Sequence, residues 1–276
     1  MTRFLFWNIN RKDVSELLAT AAAENEVDVI ILVECKIDAA RLLHRLNEPN
    51  TFPFHLTAGN SPCAFIFTRF GRSFLAPKTE GERFTFRVLK LPVHLEVLIM
   101  VVHLSSKMYW KDDSQAHECF NLAVQIREEE KRAGHSRTLL VGDFNMNPFE
   151  AGMVSAAGLN ATMCREIALR QQRNIQDRSY PFFYNPMWNH FGDDREGISG
   201  TYYYDRHEHV NFYWNMFDQV LVRPDLVGRL PREGVKILTT IGGVSLVSER
   251  GKPDQKVASD HLPILFSLDL REEQGK

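Results

Sequence analysis

The chain has 276 residues, a formal net charge of −2 at pH 7 and a sequence pI of about 6.6. Proteins that coat DNA non-specifically are usually strongly basic, so this balance disfavours bulk binding and leaves nucleic-acid contact to a local patch. The four cysteines are scattered without a CxxC pair, which excludes a cysteine-rich zinc site and predicts reduced thiols. The longest apolar runs, such as Val97–Val102, are far shorter than the roughly 20 residues of a membrane span. Without a signal-peptide pattern at its N-terminus, the sequence predicts a cytoplasmic, intracellular protein with no membrane span.

Strand and helix patterns alternate through the first half of the chain. A strand is predicted at Arg3–Trp7 and an Ala-rich helix at Asp13–Glu24, with Asp13 at its start. The elements predicted after them are strand Asp28–Val33, helix Ala39–Leu46, strands Ala64–Thr68, Arg83–Leu91 and Glu96–Val102, helix Asp112–Arg132 and strand Thr138–Gly142. The polar composition of the last helix is typical of an outer helix packed against a sheet.

After Glu150 the pattern loosens, and an irregular segment around residues 180–215 is dense in aromatic residues. Strands are predicted again at Phe217–Val222, Val235–Thr240 and Pro263–Leu270. No linker or repeat divides the chain, so residues 1–276 are predicted to form a single domain. Buried strands in both halves, with helices between them, predict an α/β fold in which two sheets pack face to face under helices.

Polar residues that can hold a metal or a phosphate stand at the ends of the predicted strands. They are Asn8, Glu34, His103, Asp143, Asn145, Asp218, Asp260 and His261. A carboxylate at the end of an apolar strand is costly unless it is paired or binds a cation. A lone Asp or Asn after a strand is commonly only a turn former, but four carboxylates and two histidines in equivalent places predict one convergent site.

Residue spacing predicts the local geometry of two of these motifs. Asp143 and Asn145 are two residues apart, so on an extended backbone both side chains would leave from the same face. Asp260 and His261 are adjacent and cannot share a strand face, which predicts that they lie in a turn.

The segments WNIN, VECK, VHLSS, GDFN, FDQVLV and SDH occur in this order from Trp7 to His261. Together they resemble the motifs of the endonuclease/exonuclease/phosphatase superfamily, which includes deoxyribonuclease-I-like nucleases, deadenylases, inositol polyphosphate 5-phosphatases and neutral sphingomyelinases. The resemblance implies a four-layered α/β sandwich of two mainly antiparallel sheets, packed face to face and flanked by helices. It also implies a hydrolase that acts on phosphate ester bonds.

The resemblance further implies a metal site. Glu34 resembles the metal-binding glutamate of the superfamily, Asn8 its neighbour in the metal and phosphate shell, and Asp260 a second acidic ligand. Mg²⁺ and Mn²⁺ prefer oxygen ligands, and such an ion neutralises an anionic phosphodiester and stabilises the leaving oxygen. We therefore expect Mg²⁺ (or Mn²⁺) as the cofactor.

Five residues resemble catalytic positions of the superfamily. Asp143 and Asn145 resemble the pair that orients the attacking water and contacts the scissile phosphate, and His103 resembles a phosphate-contacting histidine. Asp218 resembles the carboxylate that orients the catalytic histidine, His261. Such a pair supplies an oriented imidazole for proton transfer or charge stabilisation. The sequence leaves open whether Asp143 or His261 is the base, and we expect direct attack by water.

The sequence indicates the substrate less clearly than it indicates the active-site residues. VHLSS departs from the motif of exonuclease-III-type enzymes, which disfavours abasic-site repair. The aromatic segment would either stack bases, with phosphates held by nearby arginines, or fill the core of an insertion. These arginines are Arg165, Arg170, Arg173, Arg178 and Arg195.

Three functions therefore stay open. The sequence favours a nuclease, with nucleic acid as the substrate. The alternative is a phosphomonoesterase or a lipid phosphodiesterase, of the inositol phosphate or sphingomyelin type, with the same site. A catalytically silent binding module is the third possibility, and it is disfavoured because no site residue is missing.

Overall fold

The computed structural model describes residues 1–48, 52–59, 61–192 and 197–272 of the chain. Arg195, within the predicted aromatic segment, lies outside the described residues. The strands in the described residues are β1 (Thr2–Asn8), β2 (Val29–Val33), β3 (His55–Leu56), β4 (Ala64–Thr68), β5 (Leu75–Glu80), β6 (Phe84–Leu89), β7 (Val97–His103), β8 (Thr138–Asp143), β9 (Ala161–Thr162), β10 (Gln172–Ile175), β11 (Arg178–Pro181), β12 (Phe183–Tyr184), β13 (Tyr202–Tyr203), β14 (Trp214–Asn215), β15 (Asp218–Val222), β16 (Val235–Ile237), β17 (Thr240–Ile241), β18 (Val244–Ser245) and β19 (Ile264–Leu268). The helices are α1 (Ser15–Glu24), α2 (Ala39–Asn47), α3 (Asp112–Ala133), α4 (Ala151–Val154), α5 (Arg165–Ala168) and α6 (Pro224–Val227), with short 3₁₀ turns at Arg72–Phe74 and Pro186–His190.

Two large sheets form the centre of the fold. The first has the strand order β16-β19-β1-β2-β4-β3, and the second has the order β5-β6-β7-β8-β15-β12-β9. Only β1–β2, β7–β8 and β12–β9 are parallel pairs among the described strands of these sheets. The prediction of two mainly antiparallel sheets is confirmed.

Side chains of the central strands alternate between different hydrophobic cores. Phe6 of β1 and Val141 of β8 belong to the core between the two sheets. Trp7 points to the other side of the first sheet, where it belongs to the core that includes Leu18 of α1. Leu140 belongs to a third core, between the second sheet and α3. Because both faces of each sheet are covered, the central strands are apolar throughout, and the predicted four-layered sandwich is confirmed.

The register of the sheets brings the predicted site residues to one end of the sandwich. In the parallel pair β7–β8, His103 lies opposite Asp143. In the antiparallel pair β8–β15, Asp143 lies opposite Asp218, so β15 begins where β8 ends. In the first sheet, Asn8 at the end of β1 lies opposite Val33, the residue before Glu34.

The prediction of one continuous strand at Val235–Thr240 is wrong, because this segment is divided between two strands in the structure. The residues of β16 pair with β19, whereas β17 belongs to a separate hairpin with β18. The N–H of Leu238 donates to the carbonyl of Pro263 at 2.9 Å, but Pro263 has no N–H with which to return the bond. The ladder therefore ends there and the chain leaves the sheet.

Two further differences concern local chemistry. Strand β5 was not predicted, because Pro77 and several polar residues interrupt its apolar pattern; it is an edge strand, where proline is tolerated. Helix α1 begins at Ser15 rather than at Asp13, whose carboxylate accepts a hydrogen bond from the Ser15 N–H at 3.2 Å. Within the described residues, no helix is both long and apolar enough to cross a membrane.

Candidate active site

Asp143 lies at the centre of the cluster formed at the strand ends. Its side chain is only 1% exposed, and its Oδ2 accepts a hydrogen bond from Nδ2 of Asn8 at 2.9 Å. The Nε2 atoms of His103 and His261 each lie 4.0 Å from the same Oδ2. Asp143 therefore stands between two imidazoles and an amide, at the junction of the two sheets.

Glu34 and His103 form one side of this cluster. His103 Nε2 lies 3.4 Å from Oε1 of Glu34, and Arg11 Nε lies 3.6 Å from Oε2. The contact with His103 holds the pKa of Glu34 at about 2. Burial alone would lower the pKa of His103, but the carboxylates of Glu34 and Asp143 outweigh burial and raise it. The two residues thus form an ion pair that borders the cleft.

Asp218 and His261 form the other side. The Asp218 side chain is fully buried, and its Oδ2 lies 2.8 Å from Nδ1 of His261. Burial lowers the pKa of His261, but the neighbouring carboxylates, Asp218 first among them, raise it to about 10. The backbone of His261 also contacts β1, because the indole N–H of Trp7 donates to the carbonyl of His261 at 2.8 Å.

Asp260 lies in a bend next to His261, as its position in the sequence predicted. Its half-buried carboxylate is 3.3 Å from the hydroxyl of Ser259, and that hydroxyl donates to the carbonyl of Asn8 at 2.7 Å. The charge of Asp260 is one of those that raise the pKa of His261. The bend therefore brings a further carboxylate close to Asn8 and His261.

The chain turns sharply after several of these strands. Glu34 and Asn145 have left-handed backbones, with φ of 50° and 51°. Such conformations are unfavourable for residues other than glycine and concentrate at functional sites. The prediction that Asp143 and Asn145 share one strand face is wrong. Oδ1 of Asp143 accepts the backbone N–H of Asn145 at 2.8 Å, which closes a turn, and Nδ2 of Asn145 donates to the carbonyl of Leu104 at 3.0 Å.

The sequence profile of the Endonuclease/Exonuclease/phosphatase family matches residues 5–261. The chain belongs to the endonuclease/exonuclease/phosphatase family. No curated protein matches the chain in sequence.

Solved structures show the same fold at low sequence identity. A family protein from Leptotrichia buccalis has a TM-score of 0.57 at 16% identity, covering 98% of this chain and 100% of that one. TDP2 of D. rerio, complexed with single-strand DNA product, has a TM-score of 0.57 at 14% identity, covering 97% and 98%. The 3′ phosphatase NExo from Neisseria, bound to a product DNA hairpin, has a TM-score of 0.53 at 16% identity, covering 98% and 100%.

The donor set of this family member fits a hard divalent cation. Nδ2 of Asn8 lies 3.4 Å from Oε1 of Glu34 and 2.9 Å from Oδ2 of Asp143, so one neutral amide separates two converging carboxylates. His103 lies beside both carboxylates, with its Nε2 3.4 Å from Oε1 of Glu34 and 4.0 Å from Oδ2 of Asp143, and its charge offsets part of their mutual repulsion. Carboxylate oxygens are the donors that Mg²⁺ and Mn²⁺ prefer. Asn8 directs its Nδ2 at the carboxylates, while its Oδ1, the atom able to bind a cation, accepts the N–H of Asn10 at 3.0 Å.

A second group with metal-ligand geometry consists of Asp143, Asp218 and His261, whose donor atoms lie within 4.8 Å of one another. The short contact between Asp218 and His261 explains this proximity without an ion, because each atom already has the other as its partner.

A cavity of about 350 Å³ opens beside Glu34 and His103. Three cationic side chains line it, those of Arg11, Lys36 and Arg83, and all three are exposed. Neither Arg11 nor Arg83 belongs to a motif that marks it in the sequence. Only the pairing of β6 with β7 reveals Arg83, whose carbonyl accepts the N–H of His103 at 2.9 Å.

Proposed function

We propose that the protein is a divalent-metal-dependent nuclease that hydrolyses nucleic-acid phosphodiester bonds by attack of water. The observation that carries the proposal is the cluster around buried Asp143, beside a cavity lined by cationic side chains. Asn8, His103 and His261 each approach Asp143 directly, and Glu34 joins the cluster through His103 and Asn8. Family membership supports phosphate-ester hydrolysis.

In this proposal the metal is held from the Glu34 side of the cluster. Glu34, Asn8 and Asp260 would supply its protein ligands, and a bound Mg²⁺ or Mn²⁺ neutralises charge on the phosphate and on the leaving oxygen. The ion pair with His103 keeps Glu34 ionised and fixes the direction of its carboxylate. His103, charged by this pairing, faces the cleft and is placed to contact a non-bridging phosphate oxygen.

The remaining residues have separate roles in hydrogen bonding to the phosphate and in accepting a proton from water. His261 lies between buried carboxylates, which favour its charged form, so it is suited to donate a hydrogen bond to the phosphate. Asp218 holds the imidazole by Nδ1 and leaves Nε2 for the substrate. Asp143 is then the acceptor for a proton of the attacking water. The amide of Asn8 and the N–H of Asn145 fix both of its oxygens.

The cavity favours nucleic acid over an isolated phosphate ester. A nucleic-acid strand carries a regular series of phosphates, and cationic side chains beside the scissile position can hold the next one. Tyr109 lines the same cavity and is 82% exposed, which makes a ring face available for stacking on a base. Two structural neighbours, TDP2 and NExo, were solved with DNA products.

The proposal is tested with a panel of substrates. Single- and double-stranded DNA, RNA, inositol phosphates and sphingomyelin are each incubated with Mg²⁺ or Mn²⁺, and Asp143→Asn protein serves as the inactive control. We expect release of oligonucleotide products that this substitution abolishes. Hydrolysis of inositol phosphate or sphingomyelin with no oligonucleotide cleaved would refute the nuclease assignment.

A further inference from the structure

Residues Gly200–Tyr202, here called the 200–202 segment, contact both members of the Asp218–His261 pair. The hydroxyl of buried Thr201 accepts the backbone N–H of Asp218 at 3.1 Å. The carbonyl of Thr201 accepts the N–H of Leu262 at 2.8 Å. This short segment therefore joins the start of β15 to the bend that carries His261.

Tyr202 extends this contact to the imidazole itself. Its ring centroid lies 4.8 Å from that of His261, with an interplanar angle of 40°. The same ring also stacks on Phe217, at 5.3 Å and 22°. The backbones of Tyr202 and His261 also form an isolated antiparallel bridge. The tyrosine is thus held in place by Phe217 and lies against the histidine.

The contact constrains a motion that the hydrogen bond to Asp218 leaves free. One hydrogen bond at Nδ1 fixes that atom but permits the imidazole to tilt about it, and the terminal torsion of histidine has a broad energy minimum. A ring packed at the distance typical of aromatic pairs restricts this tilt. Nε2 then stays directed at Asp143, 4.0 Å from its Oδ2.

We propose that Tyr202 is a positioning residue for His261, acting through the face of its ring rather than through its hydroxyl. This inference rests on the proposed function, in which His261 contacts the scissile phosphate. Tyr202 is half-buried, and its ring packs against His261 and Phe217.

The adjacent residue Tyr203 provides a matched control. It lies on the same strand, β13, and packs edge-on against Trp214 at 5.3 Å, while Lys252 Nζ lies 4.2 Å from its ring centroid. The ring contacts of Tyr203 are therefore made with residues other than His261.

The kinetic test compares Tyr202→Phe, Tyr202→Leu and Tyr203→Leu on one oligonucleotide. Tyr202→Phe retains the ring and should keep wild-type kcat. Tyr202→Leu should lower kcat roughly tenfold, the size expected when one aromatic contact in an active site is lost, with KM little changed. Tyr203→Leu should leave both constants unchanged. Equal losses in Tyr202→Leu and Tyr203→Leu, or a large loss in Tyr202→Phe, would overturn the proposal.

A second measurement does not depend on activity. In metal-free, ¹⁵N-labelled protein, the proton on Nδ1 of His261 should give a protected signal in wild type and in Tyr202→Phe. It should exchange faster in Tyr202→Leu, or in Tyr202→Met if the leucine variant does not fold. An exchange rate equal to that of wild type, in whichever of these two variants folds, would overturn the positioning role.

The two tests also separate this inference from the proposed function. If the wild-type protein cleaves no oligonucleotide, the proposed function fails, whereas the NMR result still reports the contact. If His261→Ala is inactive and Tyr202→Leu is fully active with an unchanged signal, only the positioning role fails.

Discussion

Asp143 and Asp218 lie directly opposite each other in the antiparallel pairing of β8 and β15. The imidazole of His261 lies between their carboxylates, 2.8 Å from Asp218 and 4.0 Å from Asp143. The register of two neighbouring strands therefore sets the spacing of the two acids, and the bend before β19 brings in the histidine from the other sheet. A one-residue shift in this register would turn one of the carboxylates to the opposite face.

The first prediction is that Asp218 and His261 act as one unit. Asp218→Ala and His261→Ala should each lower kcat by roughly 10³-fold or more, as in other Asp-supported histidines. The double variant should be little worse than the worse single variant, because residues that act together are strongly non-additive. Steady-state kinetics of the four proteins measures this. Fully multiplicative losses, or near-normal turnover of Asp218→Ala, would leave Asp218 a structural residue.

The second prediction concerns the metal. Removal of divalent ions with EDTA should abolish hydrolysis, and added Mg²⁺ or Mn²⁺ should restore it, because the site offers carboxylate and amide oxygens to a hard cation. The control is EDTA saturated beforehand with the same metal ion as the assay, which should leave activity unchanged. Undiminished hydrolysis in EDTA would contradict metal dependence.

The third prediction assigns the ligand. Glu34→Gln keeps the shape of the side chain and removes its charge, so metal affinity should fall by at least about tenfold while the fold is retained. Calorimetric titration with Mn²⁺ measures the affinity. Glu26→Gln is the matched control, since that carboxylate is exposed and pairs with Arg3. Equal affinities for wild type and a folded Glu34→Gln protein would exclude Glu34 as a ligand.

The fourth prediction follows from the low pKa of Glu34. A carboxyl whose folded pKa is about 2, against an ordinary value of 4.5, stabilises the fold fully above pH 4.5 and loses this contribution as the pH falls through 2. In metal-free protein, the unfolding free energy of wild type relative to Glu34→Gln should therefore rise between pH 2 and pH 4.5 and then stay level up to the pH at which His103 loses its proton. Denaturant titrations at several pH values measure it. A difference that does not change with pH would show that Glu34 is not held in its charged form.

Much of this architecture could be predicted because the central strands carry an unusually clear signal. β2 and β8 are apolar on both faces, since each is covered by another layer, and a polar residue marks the point where each strand ends. The ordered motifs from Trp7 to His261 supplied the order of the site residues along the chain. The irregular segment could not be assigned, because Tyr202 and Thr201 owe their positions to contacts with distant β15 and the bend at His261.

Other parts depend on long-range pairing that leaves no local mark. Arg83 stands beside His103 only because β6 pairs with β7. The left-handed backbone of Asn145 arises from its bond to Asp143, so the assumption of an extended chain failed there. The aromatic segment is divided between core and surface: Phe183 is 1% exposed and belongs to a hydrophobic core, whereas Phe212 is 52% exposed.

The last prediction is that the cavity lined by cationic side chains binds the phosphate next to the scissile phosphate. Arg83→Gln and Lys36→Gln remove one charge each from the cavity wall and leave the Asp143 cluster intact. Each should raise KM for an oligonucleotide several-fold, with kcat little changed. Each should also reduce the slope of log KM against log salt by about one, since each phosphate contact releases about one counterion.

Lys236→Gln is the matched control for charge, because Lys236 is exposed on β16 and does not line this cavity. A minimal substrate with a single phosphodiester and no neighbouring phosphate completes the test, and the cavity variants should hydrolyse it at the wild-type kcat/KM. If Arg83→Gln and Lys36→Gln impair the minimal substrate as strongly as the oligonucleotide, the cavity serves the scissile phosphate itself. If they impair neither, the strand follows another surface.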